Sequence, residues 1–255
     1  MKLSILFLAP FVVACQANTM RWHHDSTGAL MVGASASSQI GSPTFDLGLS
    51  NGRQPDNFDL PAPVSGGSGQ TDVDAEMAAG IRAEMFVDNN LSLGLGYEQL
   101  SFDPQPMTIG GIGNPVDVSA QDIDRFVLSG RLWSDPFGPH KRTRLWLGGN
   151  IGYSHNVETT GSILTPNQGG AGLHPSSFRF KSSDILTTGV SAGLSFLLVR
   201  NLVLDVGLGY EKSAETAGGD MEFTNGGIAP GDVFRYDAST DYEALTLGFN
   251  LSWLF

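Results

Sequence analysis

Ser154, His155 and Glu158 lie close together in the chain, and a hydroxyl, an imidazole and a carboxylate are the groups that acyl transfer recruits. His174 follows some way downstream, and His23 adjoins His24 near the N-terminus. Such chemistry requires the groups to converge on one point. Consecutive side chains of an extended strand point to opposite sides, so Ser154 turns away from His155, and His23 from His24. The sequence therefore assigns no catalytic, cofactor-binding or metal-ligating residue, and it has neither a glycine-rich phosphate loop nor a metal-spaced Cys/His set. A second group is more orderly. Glu76, Arg82, Glu84, Glu98, Arg125, Arg131, Asp205 and Glu211 all share a face with Gly, Ser or Asn rather than with Leu. Charges of both signs enclosed on one face must pair, or each costs several kcal/mol. We read them as a plug of ion pairs and water, with a gate or proton-linked path as the other reading.

The elements that position these groups are strands. From Leu245, the residues Leu245, Leu247, Phe249, Leu251, Trp253 and Phe255 are large and apolar, while Thr246, Gly248, Asn250 and Ser252 are small or polar. Only Leu254 departs from the alternation. The span Asp241–Phe255 is long enough for the roughly 9–11 tilted residues that cross a bilayer as β-structure. Seven more stretches follow the same period: Gly28–Ser37, Val73–Val87, Leu91–Phe102, Asp122–Ser134, Leu145–Ser154, Asp184–Leu198 and Leu202–Ser213. Their joints alternate in length. Long polar loops span Gln39–Gln70, Asp103–Ala120, His155–Ser182 and Ala214–Thr240, and short turns span Asp88–Asn90, Asp135–Thr143 and Val199–Asn201. An even strand count with alternating joints predicts an all-β, eight-stranded, antiparallel up-and-down transmembrane barrel, with four long external loops and three short periplasmic turns. The polar face is built of Gly, Ser and Asn, which fit a narrow interior, so the leucines are expected to face lipid. Tyr97, Tyr153 and Tyr210 would form an outer aromatic girdle, Trp253 and Phe255 an inner one, and Trp22 a further interface aromatic.

Bulk properties agree. The chain has 255 residues, a formal charge of −12, and 33 glycines against 14 lysines plus arginines, which excludes nucleic acid as a partner. The N-terminus, Lys2 followed by apolar Leu3–Val13, reads as a signal peptide over residues 1–17, leaving 18–255 as the barrel domain. Val12-Val13-Ala14-Cys15 has the form of a lipobox, so Cys15 is either acylated or removed by cleavage after Ala17. As the single cysteine, it forms no disulfide within the chain.

Phe249, Leu251, Trp253 and the final Phe255 resemble the C-terminal assembly signal of Gram-negative outer-membrane barrels. The mature chain resembles the small eight-stranded outer-membrane proteins of the OmpA-transmembrane, OmpX and opacity type. That resemblance implies the outer membrane as location, with its lipid and lipopolysaccharide as surroundings and the barrel-assembly machinery as a partner during insertion. It further implies a porin-like but non-enzymatic protein of envelope integrity or adhesion, with a host or cell-surface ligand for its acidic loops, and no cofactor. Three other functions fit the same pattern: a pore for small or hydrophobic solutes, a lipid-modifying enzyme, and a lipid-anchored soluble barrel.

Overall fold

Leu91, Leu93, Leu95 and Tyr97 alternate with Ser92, Gly94, Gly96 and Glu98, a spacing that an extended chain satisfies when its two faces meet different surroundings. In the computed structural model, eight strands of this kind close into one wall. They are β1 (Leu30–Arg53), β2 (Met77–Phe86), β3 (Leu91–Pro104) and β4 (Gln121–Trp133). The wall continues with β5 (Thr143–His155), β6 (Asp184–Val199), β7 (Leu202–Ser213) and β8 (Val233–Leu254). Successive strands pair antiparallel, and β8 closes on β1, from Met31 opposite Leu254 to Arg53 opposite Arg235. The structure describes residues 22, 26–53, 67–74, 77–108, 115–119, 121–155, 158–166, 173–181, 184–213, 219–224 and 233–255. The segment read as a signal peptide, with Cys15, the pair His23 and His24, and Glu76 lie outside them.

Burial settles which face is which. An apolar side chain is exposed on every strand: Val32, Ile81, Leu95, Phe126, Leu147, Val190, Leu208 and Phe249, with Leu95 67% and Phe126 64% exposed. Exposure on one or two strands would describe a docking patch, whereas exposure around all eight describes a belt for hydrocarbon. Tyr97, Tyr153 and Tyr210 stand at its outer edge. The Tyr97 hydroxyl donates to Asp124 at 2.6 Å, and its ring lies 5.5 Å from that of Phe126. No helix among the described residues is long and apolar enough to cross a membrane.

Much of the long joints is strand, and here the sequence reading is corrected. β1 has 24 residues and β8 has 22, about twice the length needed to cross. Stretches read as polar loop carry further strands: Gly67–Asp74, Met107–Thr108, Pro115–Val118, Glu158–Pro166, Leu173–Lys181 and Gly219–Thr224. Five of these, Gly67–Asp74 excepted, continue the sheet outward from the outer half of β8, while Gly67–Asp74 pairs with β1. Gly41-Ser42-Pro43 has loop composition, but it occupies the register shift between Ile40 and Thr44, a place in a strand that tolerates a proline without an N–H.

In this extension the pattern inverts. Met107, Val116, Val118 and Phe178 are buried within it, while Thr108, Asp117, Ser177 and Arg179 are exposed. Water surrounds the extension, so its apolar side chains must turn inward. One continuous sheet thus presents its apolar face outward in the lower half and inward in the upper half, as a wall passing from hydrocarbon into water must.

Candidate functional site

The lumen of the lower half gathers the inward charges. Arg125 and Arg131 both project from β4, and their partners across the lumen, Glu211 and Asp205, both project from β7. With β5 and β6 between them, each pair spans the interior as a rung. In the upper rung Arg125 meets Glu211 in a very short contact and Glu98 of β3 at 2.6 Å. In the lower rung Arg131 meets Asp205 at 3.0 Å and Glu84 at 3.4 Å, and Arg82 meets Glu84 at 3.1 Å. Of the eight inward charges read from the sequence, the structure places these seven in the lumen, in one linked group of three and one of four.

Neutral groups complete them. Asp205 accepts from Ser195 in a short bond and from Asn250 Nδ2 at 3.1 Å. Glu84 accepts from Ser92, whose hydroxyl in turn accepts the Trp133 indole N–H at 2.6 Å. Arg82 donates to Ser129 at 2.8 Å. The three arginines, Glu84 and Asp205 each have two or more fixed partners, which is the condition under which a buried ion pair offsets its desolvation cost. The guanidinium of Arg131 also lies 4.1 Å from the centre of the Trp146 ring. That ring fits because β6 and β7 leave room for it: a Cβ at either Gly193 or Gly207 would stand 2.5 Å from it.

Below the lower rung the lumen is stoppered by apolar and aromatic residues that the sequence reading did not recognise as a cluster. Trp22, Met31, Phe86, Trp133, Trp146, Leu197, Val203 and Leu254 form one buried cluster. Trp22, read as an interface aromatic, is instead 3% exposed and packs inside the mouth, 6.1 Å from Trp133 and 6.4 Å from Phe86. Its indole donates to the Arg142 carbonyl at 3.1 Å. Arg144 sits among these rings, 5.4 Å from Trp22, and donates to the carbonyls of Ser134 at 2.8 Å and of Asn89. Signals for this cluster existed in the sequence. Leu254 broke the alternation because it belongs to the stopper, and Arg144 and Trp146 share the parity of Gly148, an inward position.

Between stopper and extension, among the described residues, the lumen keeps small cavities of about 120 and 110 Å³, the second lined mainly by polar atoms. Both lie toward β8, β1 and β2 and share Ser37, Ala78, Glu98 and Thr246 in their walls. Each has room for several waters.

The remaining candidates stand apart from these groups of charges. Ser154 is buried on the lumen side and His155 is exposed on the outside, so the wall separates hydroxyl from imidazole. His155 Nδ1 lies 2.6 Å from Asp184 Oδ1 and 3.3 Å from the Tyr153 hydroxyl, all at the exposed outer rim. His174 stands opposite Thr165 and Glu158 opposite Lys181 in the outer hairpin. Of the C-terminal signature, Phe249, Leu251 and Phe255 are exposed and Trp253 is half-buried, with Trp253 opposite Val32 on one side and Leu202 on the other.

No protein-family model matches the chain, and no curated protein does. Solved structures do. The outer membrane protein OprG from Pseudomonas aeruginosa superposes with a TM-score of 0.50 at 10% identity, over 90% of this chain and 97% of that one. The outer membrane protease OmpT from Escherichia coli gives 0.49 at 13% identity, over 88% of this chain and 97% of that one. The architecture is that of the small outer-membrane barrels.

Proposed function

We propose that this barrel of the outer-membrane type resides in the bacterial outer membrane as a closed, non-enzymatic protein whose outer extension serves surface interaction or envelope integrity. The inversion of the apolar face carries the reading. A wall that faces hydrocarbon below and water above places its extension outside the bilayer, folded around Met107, Val116, Val118 and Phe178 rather than loose. Binding is commonly placed on segments held out by a rigid scaffold. The lumen supports the same reading from the other side. Two arginine rungs cross it and an aromatic stopper fills its inner mouth, so an ion in transit would have to displace paired charges and a packed core. Folded protein in a planar bilayer is therefore expected to give no large, steady conductance. A sustained open level would replace this reading with that of a pore.

A further inference from the structure

We propose that the inner turn between β4 and β5, with the neighbouring β6–β7 turn, is a docking site for the phosphate headgroup of an anionic phospholipid in the inner leaflet. The proposal rests on the membrane reading above and adds a lipid class to it. The β4–β5 turn is the longest of the three short joints and carries Phe137, His140, Lys141 and Arg142. Its backbone is unusual. His140 (φ 62°) and Lys141 (φ 51°) both adopt the left-handed region, where Asn and Gly are the ordinary occupants. Local turn chemistry therefore does not explain His140 and Lys141 at these positions. The conformation is held from inside, because the Trp22 amide and indole donate to the carbonyls of Lys141 and Arg142.

The side chains of His140 and Lys141 are exposed beneath the apolar belt, as is Arg200 in the neighbouring turn. Leu197 donates its amide to the Arg142 carbonyl at 2.9 Å, which ties the two turns together. Phe137, 43% exposed, and the exposed Leu198 and Val199 lie beside the cations, an apolar anchor next to charge. Among the described side chains, Asp135 at the start of the turn and Asp88 in the β2–β3 turn are the exposed carboxylates at this end. The outer rim is the opposite: Asp122, Asp124, Asp184 and Glu243 are exposed there, beside Lys212 and His155. The two inner turns together carry Lys141, Arg142 and Arg200 against the single carboxylate of Asp135. Charge complementarity selects an anionic headgroup at the inner end, with Lys141 as a point charge and Arg200 as a two-pronged donor to phosphate oxygens.

The test is native mass spectrometry of the folded, detergent-solubilised protein with phosphatidylglycerol or phosphatidylcholine added. Phosphatidylglycerol is expected to be retained preferentially. Each basic contact near an anionic surface contributes about a factor of five, so K141E/R200E should lower its retention at least about fivefold, while K212E at the outer rim leaves it unchanged. The milder pair K141Q/R200Q should give an intermediate loss and serves if the charge reversal does not fold. Equal retention of the two lipids by the parent protein, an equal loss from K212E, or displacement of phosphatidylglycerol by soluble polyphosphate at matched charge would each overturn the proposal. Unboiled gel migration distinguishes failures: a parent protein that never shifts on heating is not a membrane barrel, whereas one that shifts but shows no lipid preference refutes only the docking site.

Discussion

Replacing Arg131 with methionine is expected to destabilise the folded barrel by about 3–5 kcal/mol, the cost of leaving a buried charge without its partner. Arg131 is 6% exposed and holds both Asp205 and Glu84, which are 2% exposed. Methionine fills much of the same volume against Trp146, so the loss measures charge more than space. After the change Asp205 keeps its hydrogen bonds from Ser195 and Asn250, neutral donors that satisfy its oxygens but leave it without a cation in contact. The double variant R131M/D205N removes both charges and is expected to recover most of the loss, because Arg82 still neutralises Glu84. Urea unfolding in lipid vesicles reads all three proteins. A single variant within about 1 kcal/mol of the parent would mean that the lower rung is not a buried bridge.

The second large effect concerns the outer surface. Leu128 is 55% exposed, lies midway along β4, and stands between Leu95 and Ile151 in the register. L128R is expected to cost about 2–4 kcal/mol in vesicles, the penalty for an arginine on the lipid face near the midplane. At a water-facing position with the same exposure the change would fall within about 0.5 kcal/mol. Vesicle unfolding separates these outcomes cleanly, and a neutral L128R would return the chain to the class of soluble carriers.

Much of this was legible in the residues. Period-two alternation locates the eight wall strands, because a barrel wall has only two faces and each meets one environment. The same parity places seven charged residues in the lumen, and it separates Ser154 from His155. Parity does not tell which charges meet across the lumen. Arg131 and Asp205 are far apart in sequence, and only closure of β8 on β1 brings β4 and β7 face to face. The outer strands escaped notice because they invert the rule. Their apolar residues turn inward, their short pieces are rich in Gly, Ser and Pro, and Gly41-Ser42-Pro43 has the composition of a loop while sitting inside β1. Trp22 misled for a different reason. A tryptophan near the chain's start is expected at the interface, yet its indole and the Arg144 guanidinium together fill the barrel's inner mouth.

A single nitroxide placed in turn at Val32, Ile81, Leu95, Leu128, Leu147, Val190, Leu208 and Phe249 samples each of the eight strands once, in protein reconstituted in vesicles. Collisions with oxygen, which partitions into hydrocarbon, are expected to dominate at all eight, with a water-borne nickel complex excluded. Ready access of nickel to these sites would show the leucine face bathed in water, and the membrane barrel would have to be abandoned.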